Sequence, residues 1–93
     1  MNTAAGTPLA RALHDALQSA LAPEALELID DSHLHAGHAG ARAGAHFTVR
    51  IVASRFAGLG RVARHRLVYD ALRSWMADGV HALAIEARAP GEG

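Results

Sequence analysis

The sequence predicts an α+β domain in which a three-stranded mixed sheet is covered on one face by helices. Two long stretches, beginning at Pro8 and Arg61, place their larger apolar residues at helical spacing. Three short stretches, ending near Asp30, Ser54 and Arg88, alternate or concentrate the β-branched and aromatic residues that strands favour. Their order is helix, strand, strand, helical region, strand. The first two strands pair as a hairpin, and a helical crossover makes the second and third parallel and right-handed. At 93 residues and 51% hydrophobic content, the chain reads as one domain over 1–93, with 1–6 and 90–93 as tails.

The elements follow in order. Residues 1–6 are small and unpatterned. Thr7 supplies an N-cap and Pro8 the first helical position, where a missing N–H costs nothing. Leu9, Leu13, Leu17 and Leu21 then recur every four residues, with Ala12, Ala16 and Ala20 beside them, and Pro23 stops the helix. Glu24 to Asp30 reads as the first strand, with Leu26 and Leu28 alternating against Glu27 and Ile29. Ser32 to Gly44 has neither period and few large side chains, so it is expected to be a long hairpin loop. His46 to Ser54 is the clearest strand: Phe47, Val49, Ile51 and Ala53 face one way, and His46, Thr48, Arg50 and Val52 the other.

Arg55 to Gly60 is a connection with room for one short helical turn. Arg61 to Ala77 predicts a second long helix that buries Val68, Leu72, Trp75 and Met76, with Gly79 at the left-handed position beyond its end. Val80 to Arg88 is the third strand, with His81, Leu83, Ile85 and Ala87 in phase. The sheet face away from the helices would show Thr48, Arg50 and small residues to solvent or to a partner.

Composition narrows the chemistry. With no cysteine, disulfide scaffolds, cysteine nucleophiles and any iron–sulfur cluster held by the chain's own thiolates are excluded. No apolar run approaches a membrane span and the N-terminus lacks the pattern of a signal peptide, so a soluble, cytoplasmic protein is expected. Its basic residues are all arginine. Between Asp31 and Asp70 there is no acid, while Arg42, Arg50, Arg55, Arg61, Arg64 and Arg66 all fall there. Ser32, Ser54 and Ser74 lack a nucleophile-elbow context, no carboxylate pair is spaced for acid–base work, and no phosphate-binding glycine loop is present. No enzyme is expected.

Three segments resemble the BolA family: DDSHLHAGHAGA (Asp30 to Ala41), HFTVRIVASRFAGLGRVARHRLVY (His46 to Tyr69) and GVHALAIEARAP (Gly79 to Pro90). The resemblance covers roughly Pro8 to Pro90 and is carried by the RF-x-G, RHR-x-VY and VHALAI runs. It implies a type II KH-like fold in the order α-β-β-α-(α)-β. It also implies a monothiol glutaredoxin as partner, the two chains sharing a bridging [2Fe–2S] cluster with glutathione. The implied ligands are the histidine opening the third strand, His81, and a loop histidine, His35, four residues beyond Asp31. His33 and His38 are alternates within the same loop, and His65 is a more remote one. Sulfur would come from the partner and glutathione, while imidazole completes one iron, as in Rieske-type centres.

Other readings stand beside these. His81, in phase with Leu83 and Ile85, could simply be a partly buried histidine bonded to backbone. His33, His35 and His38, alone or with His46, could hold a divalent metal. The arginine-rich run offers Arg55, Arg61, Arg64 and Arg66 for duplex DNA phosphates, which suits the DNA-binding transcriptional regulators described among BolA relatives. FAGLGR spaces Gly58 and Gly60 two apart, so the GXXG clamp of KH domains is absent.

Overall fold

The computed structural model describes residues 7–31, 45–77 and 80–92. The elements are α1 (Pro8–Leu21), β1 (Ala25–Asp30), β2 (Ala45–Val52), a 3₁₀ turn (Ser54–Phe56), α2 (Arg61–Ala71), α3 (Arg73–Met76) and β3 (Val80–Arg88). The sheet order is β1-β2-β3, with β1 antiparallel and β3 parallel to the central β2. This is the mixed three-stranded α+β arrangement that the sequence predicts.

Each element forms for a visible reason. The Thr7 hydroxyl accepts from the Ala10 N–H at 3.1 Å, and Pro8 occupies the first turn. The stripe of α1 then buries Ala10, Leu13, Leu17 and Leu21. From β2, Phe47, Val49 and Ile51 meet it, and Ala53 continues the buried phase past the strand end. Phe56, Val68 and Leu72 close the core with no exposed surface at all. All of this lies on one side of the sheet. On the other side Glu27, Arg50 and Glu86 form one register row, and Arg50 reaches both carboxylates at 3.4–3.5 Å.

Three differences from the sequence reading exceed a single residue. β2 ends at Val52 rather than Ser54, because Ser54 opens the 3₁₀ turn that drops Phe56 into the core. The expected single helix Arg61–Ala77 is two helices, jointed at Leu72, whose φ of −107° and ψ of 13° leave the helical range. No glycine or proline causes that break, and tertiary packing decides it. The joint keeps Leu72 fully buried while Trp75 and Met76 pack along the margin of the core. Finally, the run from Pro90 does not trail away. Gly91 adopts φ 86°, which glycine tolerates, and the Glu92 N–H returns to the Ala89 carbonyl at 3.1 Å, closing a turn over buried Ala89. The expected role of Gly79 lies outside the described residues.

Ala22 ends α1 in the left-handed region, with φ 45° and ψ 54°, and its N–H bonds the Gln18 carbonyl at 3.1 Å. An L-residue there costs about 1–2 kcal/mol, against about 0.4–1 kcal/mol for the extra unfolded-state freedom of glycine. Ala22→Gly should therefore stabilise the protein by about 0.5–1 kcal/mol. A thermal melt raised by a few degrees checks this; an unchanged or lowered midpoint contradicts it.

Candidate functional site

The candidate metal centre lies where β1 ends and β2 and β3 begin. The Asp31 N–H donates to the His46 carbonyl at 2.8 Å, and the Thr48 hydroxyl donates to the Asp31 carboxylate. These bonds fix both ends of the segment that carries His33, His35 and His38. Those three histidines themselves lie outside the described residues. The same end of β3 is irregular: Ala45 pairs with Val80, but His46 pairs with Ala82. His81 is thus an extra residue in the ladder, a bulge beside the points where the histidine segment leaves and rejoins the sheet.

The bulge interrupts the continuous ladder that the sequence reading of β3 assumes. Val80 is buried, and Leu83, three residues on, packs against the core. The ladder therefore shifts register between them. The signal was not available from period counting, which assumes an unbroken ladder. Among the described residues no group of three or more His, Cys, Asp or Glu is placed to hold a metal. With no cysteine anywhere in the sequence, the donor set fits a cluster only as histidine added to ligands from elsewhere.

His65 is not brought to that end. It lines a groove of about 460 Å³ between α2 and the far half of β3, together with Arg61, Arg64, Ile85 and Arg88. Ile85 is four residues beyond His81, about 13 Å along the strand. The expected arginine surface is also divided. Arg55 donates to the Ala20 carbonyl at the end of α1, while Arg61 and Arg66 are exposed. Arg64 is committed to structure. Its Nε donates to the Leu59 carbonyl at 2.8 Å, one terminal nitrogen to the Ala87 carbonyl at 3.2 Å, and both terminal nitrogens to the Glu92 carboxylate.

This node ties the loop before α2, the helix, β3 and the C-terminal turn together. Sequence reasoning missed it because Glu92 sits in the run that looked like a tail. Arg64 holds the Glu92 carboxyl down at about 2, and the Ala89 N–H, bonded to it at 2.9 Å, adds to the effect. The node also covers an edge. The Ala53 N–H donates to the Arg88 carbonyl, so Arg88 faces β2, and by alternation Leu83, Ile85 and Ala87 turn their backbone groups outward. Tyr69 donates to the Leu83 carbonyl at 3.4 Å and Arg64 to that of Ala87.

Comparison with known proteins agrees with this architecture. The family model for BolA-like proteins matches residues 17–92. The chain belongs to the BolA-like family. It is 46% identical over 90 residues to BolA-like protein 1 of Mus musculus, covering 97% of this chain and 64% of that protein. It is 43% identical over 86 residues to SufE-like protein 1 of Arabidopsis thaliana, covering 86% of this chain but 23% of that much longer protein. The chain thus spans less than two thirds of either relative. The solved BolA domain of Arabidopsis SufE1 superposes with a TM-score of 0.83 at 40% identity, covering 94% of this chain and 98% of that one. The solution structure of mouse BolA1 gives 0.78 at 46% identity, covering 97% and 72%. The Arabidopsis SufE-like relative is described as chloroplastic or mitochondrial, so the cytoplasmic expectation has no support from it. Among the described residues no helix is long and apolar enough to cross a membrane.

A carboxyl held below its ordinary value stabilises the fold fully above that value, and the contribution fades as pH falls through the folded-state value. Glu92→Gln should therefore melt lower than the parent protein at pH 7. The gap should close as pH drops from about 4.5 towards about 2. Melting curves across that range test the pairing, and a gap that does not change with pH contradicts it.

Proposed function

We propose that this BolA-like protein is an adaptor rather than an enzyme: it binds a monothiol glutaredoxin and contributes histidine to a bridging [2Fe–2S] cluster. The observation that carries this reading is the position of His81, the extra residue of a bulge at the sheet end where Asp31 and Ala45 anchor the histidine segment. A bulge on an edge strand frees a residue from the ladder and is a common device beside functional sites. His35 is the preferred second ligand, with His33 and His38 in the same segment. The partner and glutathione supply the sulfur that this chain lacks, so neither chain alone completes the centre. The kinship with a SufE-like protein supports a role in iron–sulfur metabolism.

His65 is the weakest of the ligand candidates, since it lines the groove with the far half of β3. Duplex DNA is the less supported partner, because Arg64 is bound by Glu92 and Arg55 donates to the Ala20 carbonyl.

His81→Ala should still bind apo-glutaredoxin but should lose the visible absorption and circular dichroism of the cluster-loaded heterodimer. Reconstitution with a monothiol glutaredoxin, glutathione, iron and sulfide tests this. A mutant spectrum identical to that of the parent complex removes His81 as a ligand, and the same measurement on His35→Ala, His33→Ala and His38→Ala assigns the second position.

A further inference from the structure

The end of the sheet that carries His81 also holds a carboxylate that is not required to close the strand. Asp31 directly follows β1, and its N–H bond to the His46 carbonyl at 2.8 Å already secures that end. Leu28 is buried on the helix side, so alternation places Ile29 and Asp31 on the uncovered face of the sheet. Thr48, opposite Ile29, lies on that face too, and its hydroxyl donates to Oδ2 of Asp31. Both side chains are half-buried. Among the described residues the second oxygen, Oδ1, has no hydrogen-bond partner and the carboxylate has no ion pair. Arg50, two residues along β2 from Thr48, is held between Glu27 and Glu86.

Register brings this carboxylate into line with the bulge. Asp31 stands opposite His46 on β2, and His46 pairs with Ala82 on β3, next to the inserted His81. Two strand spacings, about 10 Å, separate the backbones at the two ends of that row. One aspartate arm, one imidazole arm and the hydrogen bond between them cover such a distance. A hard carboxylate oxygen is a poor match for a thiolate-held iron–sulfur centre, so direct coordination is not the use its chemistry suggests. Its usual place is behind the ligand. A metal-bound imidazole donates its remaining ring N–H to a carboxylate, which fixes tautomer and ring orientation and makes the bound nitrogen a stronger donor. Thr48 ties down one oxygen of Asp31 and leaves the other for that bond.

We infer that Asp31, oriented by Thr48, is a positioning residue for the cluster: its free oxygen accepts the outward ring N–H of His81 when that imidazole binds iron. This role rests on the cluster reading above and adds a residue outside its ligand set. Asp31 touches neither iron nor sulfur and acts through the imidazole. Thr48 acts one step further back, by holding the carboxylate. Removing its hydroxyl is therefore felt at the cluster, although every ligand and every charge stays in place.

The test uses the full chain reconstituted with a monothiol glutaredoxin, glutathione, iron and sulfide, and follows loss of the cluster to an iron chelator by visible circular dichroism. Asp31→Asn and Thr48→Val should each lose the cluster roughly tenfold faster than the parent, or more. Thr48→Ser should restore the parent rate, and none of the three should change the affinity of the apo chain for apo-glutaredoxin. His81→Cys keeps an iron ligand but has no ring N–H, so in that background Asp31→Asn should leave the rate unchanged. Where the cysteine variant holds no cluster, the Thr48→Val and Thr48→Ser pair decides. Equal cluster lifetimes in the parent, Asp31→Asn and Thr48→Val would overturn the inference and leave the cluster reading intact. So would an effect of the same size in the His81→Cys background, no rescue by Thr48→Ser, or apo affinity that falls in step with cluster lifetime. A parent complex without the cluster spectrum removes the cluster reading and this inference with it.

Discussion

β2 is the constraint on which the rest of the structure depends. Its odd-numbered residues Phe47, Val49 and Ile51 are buried against the helices, and that single phase fixes the registers of both neighbours. A slip by one residue would turn the whole set to the uncovered face. The same strand therefore dictates where β1 hands over to the histidine segment and where β3 begins. The bulge opposite Ala45 and His46 is a local departure that this strict pairing makes possible, because the ladder from Phe47 onward holds the strand in place.

The fold was legible where side chains repeat. The leucines of α1, the alternation of β2 and the glycine-bearing connection before α2 each state their element, and the order alone gives a mixed sheet with helices on one side. Period counting failed where a tertiary contact outweighs a local pattern. Nothing between Val68 and Met76 announces a joint at Leu72, since the apolar spacing is compatible with one continuous helix. Nothing in GEG announces that Glu92 will find Arg64, a pair separated by 28 residues. The arginine run looked like a single surface because charge was read along the chain, whereas the fold sends Arg55 towards α1 and Arg64 into contacts with β3.

The candidate site was legible in a different way. The absence of cysteine limits any cluster chemistry to imidazole, and the resemblance of the VHALAI run to BolA proteins singles out His81. Membership of the family is now shown by the match over residues 17–92 and by the superposition on BolA domains. What strand periodicity could not supply is the interruption of the ladder at His81.

The pair of side-chain caps on β3 also bears on self-assembly. Sheets tend to grow at bare edges, and an uncovered strand is a template for unwanted association. With Tyr69 and Arg64 occupying the outer carbonyls of Leu83 and Ala87, a strand added on that side would lose two of its acceptors. Backbone pairing with a second sheet is therefore disfavoured along this edge.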